Sequence, residues 1–266
     1  MHHALRLPFR FEPELLHADL DVALREAWVQ HFNQGYYEGD WSGLALRAPI
    51  GATSLYPGAT GPAGEFADTP VLPRCPAFQA VLAGFLCPLK SVRLLRLKAG
   101  SVIREHADPG LGYAAGEVRI HVPVRTNPQV EFYVDQERIV MREGECWYLA
   151  LENLHRVQNL GPTDRIHLVI DCLVNDWLRG VLEAANADPA ARPAHAIGTA
   201  QAFAEFRAAV LGDLALQAQL RGIADPRALA AETVRLGAAR GLRFTPGDVL
   251  AALQAGRRAW LERHIL

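Results

Sequence analysis

The tripeptide His-Ala-Asp occurs twice in this chain, at residues 17–19 and 106–108. Two histidines and one carboxylate on one face of a metal form the ligand set of non-haem iron(II) sites, because they leave the opposite coordination positions open for a co-substrate and dioxygen. In an extended segment, residues two apart project to the same side. His106 and Asp108 can therefore serve one ion, and a third ligand must come from a distant strand, for which His155 in LHRVQN is the natural candidate. With ten histidines in 266 residues a chance His-x-Asp is unsurprising, so the surroundings decide between the two copies. The first copy precedes Leu20, Leu24, Trp28 and Phe32, the four-residue spacing of a helix face. Asp19 stands where an N-cap carboxylate would stand, so that copy reads as a capping site.

The second copy has cationic company. In RIHLVID, Arg165, His167, Val169 and Asp171 face one way and Ile166, Leu168 and Ile170 the other. A guanidinium opening an otherwise apolar strand is costly unless exposed or paired, and a carboxylate held by its two-pronged donors would satisfy it. In VRIHVPV, Arg119 and His121 share one face, with Ile120, Val122 and Val124 on the other. If both apolar faces pack outward, Arg119, His121 and Arg165 meet in one interior as an anion site, suited to a dicarboxylic co-substrate such as 2-oxoglutarate. Each residue also has a plain structural reading: His121 or His155 as a core histidine, Arg119 as a surface cation, and Arg165 paired with Asp164 or Asp171. His167 reads as structural, and Cys146, Trp147 and Tyr148 as packing.

The elements that must position these groups follow from pattern. From SVRLLRLKAG onward, five or more runs alternate at period two between turns rich in Gly, Pro, Asn and Asp, which predicts a double-sheet barrel or jelly roll. Before them, Phe78, Val81, Leu82 and Phe85 have helical spacing. Residues 49–76 read as a long Pro/Gly-rich loop that serves the substrate pocket together with GLGYAAGE, with Trp41 and Arg47 as further candidates. An Ala/Pro-rich connector, ANADPAARPAHAIGTA, leads to residues 199–266, which carry no β run and read as three or four amphipathic helices, with Thr245 before Pro246 as an N-cap.

The formal charge of −2, without a basic run, argues against nucleic acid and membrane surfaces as partners. No stretch has the length and apolarity of a membrane span, and cytoplasmic location is expected. Cys75, Cys87, Cys146 and Cys172 form no CxxC pair and read as buried free thiols.

Taken in order, HAD, EVRIHVPV, GECWYL, LHRVQN and RIHLVID resemble the aspartyl/asparaginyl β-hydroxylase family, which includes bacterial proline hydroxylases. The likeness covers about Val92 to Asp171. It implies iron(II) held by His106 and His155, with Asp108 as the carboxylate ligand where animal members have glycine. It also implies 2-oxoglutarate held by Arg119, His121 and Arg165, with dioxygen as the other reactant. The tail, from its Phe-x-x-Phe at 203–206 to Gly-x-x-Phe-Thr at 241–245, resembles the Nif-eleven type of helical leader domain.

The expected fold class is α+β: a double-stranded β-helix (jelly-roll, cupin-like) core with flanking helices, plus a small all-α C-terminal domain. The expected domains are an oxygenase domain at 1–183, a linker at 184–198 and a leader-like helical domain at 199–266. The expected activity is hydroxylation of an amino-acid side chain, such as Asp or Asn in a peptide, with a leader-type peptide as a possible partner. A free amino acid such as proline or aspartate is the second expectation, and a non-catalytic carboxylate-binding barrel the third.

Overall fold

The computed structural model describes residues 1–51, 66–193, 197–240, 242, 244–253 and 256. They divide into two compact units, Met1–Pro193 and Ala194–Leu266. The first unit runs β1 (Ala4–Arg10), α1 (Pro13–Ala23), β2 (Val29–Gln30), β3 (Tyr37–Glu38), β4 (Trp41–Pro49), β5 (Phe66–Asp68), α2 (Pro76–Ala83), β6 (Leu89–Leu97) and β7 (Val102–His106). It continues with β8 (Glu117–Arg125), β9 (Val130–Val134), β10 (Glu137–Arg138), β11 (Glu145–Leu149), β12 (His155–Asn159), β13 (Arg165–Leu173) and α3 (Asp176–Ala187). Two antiparallel sheets result. The larger has the order β1-β11-β8-β13-β6-β4-β2 with β5 beside β4, and the smaller β10-β9-β12-β7-β3. Chain-adjacent strands such as β6 and β7, or β12 and β13, fall in opposite sheets, so the molecule is the α+β jelly roll that the alternation predicts.

Period-two alternation assigns each strand's faces. Ile166, Leu168 and Ile170 of β13 and Ile120, Val122 and Val124 of β8 join Leu16 and Leu20 of α1, Phe78 and Val81 of α2, and Leu178 and Leu182 of α3 in one buried cluster. Between the sheets lies a second cluster, where Trp41, Leu97, Trp147 and Leu149 meet Ile103, Phe132, Val134 and Val157. Full burial of each such side chain contributes about 1.5–3 kcal/mol. A one-residue register slip would send the whole apolar set of β13 to the wrong side.

The first helix differs from its expected place. It spans Pro13–Ala23, starting at the proline that favours the first helical turn, and the chain then turns so that β2 pairs with β4. Trp28 therefore lies outside the helix, where its Nε1 donates to the Ala23 carbonyl at 3.0 Å, and Phe32 is exposed. Asp19 is inside α1, not at its start. Its carboxylate accepts from Phe78 N at 2.8 Å and so caps α2, a different helix.

Helix α3 extends through Ala187, so residues 184–187 of the expected linker are helical; 194–196 lie outside the described residues, and helix resumes in α4 (Ile197–Gly212). The run QVEFYVDQERIVM is broken by a turn at Asp135 and Gln136, both with positive φ, which makes the β9-β10 hairpin.

In the second unit, α4, α5 (Leu214–Arg221), α6 (Pro226–Ala238) and a helical segment at 246–253 enclose Phe206, Leu216, Ala230, Leu236, Phe244 and Val249. Thr245 caps the last segment as expected: Asp248 N donates to its Oγ1 at 3.2 Å, and Thr245 N donates back to Asp248 Oδ2 at 2.7 Å. Gly237 is required by packing, since a Cβ there would lie 2.3 Å from the Phe244 ring.

Candidate active site

His106 is the last residue of β7 and His155 the first of β12, and the antiparallel register sets them directly opposite each other. Their ring centroids are 4.2 Å apart. Asp108 follows in the loop, its backbone N–H tied to the Leu151 carbonyl at 2.8 Å. One ligand atom from each of the three residues lies within 4.8 Å of the others. His106 Nδ1 contacts the Arg104 carbonyl at 2.8 Å, and His155 Nδ1 the Asn153 carbonyl at 3.0 Å. A carbonyl only accepts, so each Nδ1 carries the proton and each Nε2 keeps a lone pair for a metal. Burial, with smaller contributions from neighbours, brings His155 down to about 4, so it is neutral at physiological pH. Among the described residues one other trio, His2, His3 and Glu137, has comparable spacing, but none of the three lines the cavity described next.

All six residues expected to form the site line one cavity of about 290 Å³. The first His-Ala-Asp is elsewhere: His17 Nε2 meets the Val124 carbonyl at 2.8 Å and Glu143 at 3.1 Å. Arg165 is 2% exposed and pairs with neither Asp164 nor Asp171; among the described residues it has no acidic partner. Its Nη2 donates to His167 Nδ1 at 3.0 Å, and it faces the Phe132 ring at 5.5 Å. Burial lowers its pKa to about 9. Buried Arg165 Nε and His121 Nε2 have no hydrogen-bond partner among the described residues. His121, with Nδ1 3.2 Å from His167 Nδ1, is kept neutral by burial and then by Arg165 and Arg119. A cavity with an uncompensated guanidinium and unpartnered polar atoms beside a His-Asp-His cluster fits a dianionic co-substrate next to a metal.

Arg119, expected to help bind the anion, lines the cavity and also gives three of its five N–H groups to acids. Its Nε donates to Asp171 Oδ1 at 2.7 Å, Nη2 to Asp171 Oδ2 at 3.1 Å, and Nη1 to Asp108 Oδ2 at 2.7 Å. Asp171 also accepts from Arg93 Nη1 at 3.0 Å. Although burial opposes it, Arg119 and Arg93 hold the Asp171 carboxyl well below the usual carboxylate range.

Sequence reasoning missed His31 and Tyr36 and named Trp41. His31 stacks on Trp41 at 3.7 Å, and Tyr36 lies 4.9 Å from the His106 ring. Trp41 lines the cavity with its buried Nε1–H unpartnered among the described residues. Arg47, by contrast, is held by Asp68 at 2.6 Å. Of the long loop, Pro49 and Phe66 line the cavity, and 52–65 lie outside the described residues. Cys146 and Tyr148 are core residues, and all four cysteines are free. No described helix is long and apolar enough to cross a membrane.

A jelly roll with two imidazole lone pairs and a carboxylate at one cavity wall is the architecture of a non-haem iron(II) oxygenase. The chain belongs to the aspartyl/asparaginyl β-hydroxylase family, whose profile matches residues 16–174. It is accordingly an enzyme, a hydroxylase whose cofactor and co-substrate are iron(II) and 2-oxoglutarate.

Solved structures similar to it include a 2-oxoglutarate-Fe(II) oxygenase family oxidoreductase from Burkholderia pseudomallei, at 13% identity and TM-score 0.45, covering 64% of this chain and 85% of that one. A prolyl-4-hydroxylase from Pseudomonas putida matches at 10% identity and TM-score 0.41, covering 66% and 94%. HygX from Streptomyces hygroscopicus, solved with nickel and 2-oxoglutarate, matches at 14% identity and TM-score 0.41, covering 65% and 84%. No curated protein matches the chain.

Proposed function

We propose that this enzyme hydroxylates an unactivated carbon of an amino-acid side chain, such as Asp or Asn within a peptide, with His106, Asp108 and His155 holding the iron. The observation that carries the site assignment is Arg165: a buried guanidinium with no acidic partner among the described residues, in the same cavity as the His-Asp-His cluster. When bound, iron(II) and 2-oxoglutarate supply the oxidising power, one dioxygen giving succinate, carbon dioxide and the hydroxylated substrate. Arg165 takes the far carboxylate of 2-oxoglutarate, with His121 beside it. Arg119, three of its five N–H groups engaged by Asp171 and Asp108, contributes positive charge at the wall and has one N–H on each of Nη1 and Nη2 left for the anion. The aromatic wall of Trp41, Tyr36 and His31 excludes water and leaves the Trp41 N–H for an oxygen of a bound ligand.

Residues 199–266 serve as a leader-like domain that reads a leader-type peptide or stands in for one. A free amino acid such as proline or aspartate is the second reading; the cavity of about 290 Å³ has room for a small substrate. Succinate release measured with a panel of free amino acids against Asp- and Asn-containing peptides separates the two: strong turnover without any peptide sinks the first. The ligand assignment is tested by Mn²⁺ titration, in which His155→Ala loses the site and His17→Ala keeps it. Loss of binding in His17→Ala alone would show that the wrong His-Ala-Asp was chosen.

A further inference from the structure

Arg119 Nη1 occupies Asp108 Oδ2 at 2.7 Å, while the other carboxylate oxygen, Oδ1, lies 4.0 Å from His106 Nε2. Arg119 is itself fixed from behind. Asp171 is its direct cross-strand neighbour, takes two of its donors at 2.7 and 3.1 Å, and is in turn held by Arg93 Nη1 at 3.0 Å, which also donates to Ser91 Oγ at 2.6 Å. Arg119 is thus held at both ends by acids, Asp171 on β13 and Asp108 in the loop after β7. Asp171 is 5% exposed, so its pairing with Arg119 is little screened, whereas the Asp108 side chain at the other end is 30% exposed.

We infer that Asp171 is a positioning residue for the metal centre: it aims Arg119, which holds back one oxygen of Asp108 and presents the other for single-oxygen coordination. The inference rests on the proposed His106, Asp108 and His155 site. Its physical basis is aim: without Asp171, Arg119 is no longer fixed from behind and can turn to take both oxygens of the Asp108 carboxylate. Partners of this kind, one shell out from the ligands, typically change metal affinity by about 10- to 100-fold when removed.

The test is Mn²⁺ binding to the full chain, read from the free Mn²⁺ resonance, with circular dichroism to establish folding. Asp171→Asn is expected to raise the Mn²⁺ dissociation constant by about 10- to 100-fold. Arg119→Gln cuts the same link while leaving Asp171 paired with Arg93, so it answers the question even if Asp171→Asn fails to fold. Because both residues act through one chain of contacts, the double variant should bind no more weakly than the weaker single variant. Folded Arg119→Gln protein with unchanged or tighter Mn²⁺ binding would overturn the inference, and so would an effect confined to 2-oxoglutarate affinity. Failure of the underlying reading looks different: the wild type would not bind Mn²⁺, or His155→Ala would bind it as tightly as wild type, and the positioning role would fall with it.

Discussion

Replacing Arg165 with methionine should make the protein more stable and at the same time unable to hold its co-substrate. Burial brings the guanidinium from its ordinary 12.5 down to about 9, which corresponds to about 5 kcal/mol for keeping that charge in the interior at neutral pH. Arg165→Met removes the charge and keeps the bulk. It forfeits the 3.0 Å hydrogen bond to His167 and the contact with Phe132, so the expected net gain is nearer the 1–4 kcal/mol typical of apolar replacement of buried ions, about 3–10 °C in Tm for a unit of this size. Binding moves the other way. Truncating one member of a buried charge pair costs about 2–5 kcal/mol, so 2-oxoglutarate affinity should fall at least about 30-fold. Differential scanning fluorimetry with Mn²⁺, with and without 2-oxoglutarate, reads both effects: a higher baseline for the variant, and the ligand-induced rise only in wild type. A variant that melts several degrees lower without 2-oxoglutarate would refute the reasoning, because the guanidinium would then be supporting the fold, and so would one that keeps the full ligand-induced rise, because the guanidinium would then not be holding the ligand.

Two further outcomes concern stability. Burial holds His31 and His155 at about 4, against 6.5 for an unburied histidine, and His121 and His167 well below 6.5. Above about pH 6.5 these rings are neutral whether the chain is folded or not; between about 6.5 and 4 only the unfolded chain takes up the protons, so stability should drop as pH falls. Thermal melts of metal-free protein from pH 7.5 to 4.5 check this, and a flat Tm contradicts it. Asp19→Ala should destabilise the first unit by about 1–2 kcal/mol by stripping the cap from Phe78 N, whereas Asp19→Asn, which keeps an acceptor, should cost much less; equal losses in urea melts would show that the cap is not the cause.

Much of the site was legible before any coordinates because a strand's side-chain period of two is fixed by backbone geometry. Once Ile166, Leu168 and Ile170 were taken as the core face, Arg165, His167 and Asp171 had to share the other, and Ile120 and Val122 did the same for Arg119 and His121. The first helix was less legible, because Leu20, Leu24 and Trp28 keep helical spacing past a point where pairing of β2 with β4 draws the chain away. The turn at Asp135 and Gln136 carries no glycine to announce its positive φ.

The sequence by itself determined the sheet-forming alternation, the inward set of charged and imidazole side chains, and the spacing of His106 and Asp108. The tertiary structure alone decided which charges meet. His106 lies opposite His155, and Asp171 lies opposite Arg119, because of cross-strand register between segments far apart in the chain. Among the described residues, that register leaves Arg165 without an acid and gives Arg119 two, and no local pattern encodes such a division, because pairing energy depends on distances that only the folded sheets set.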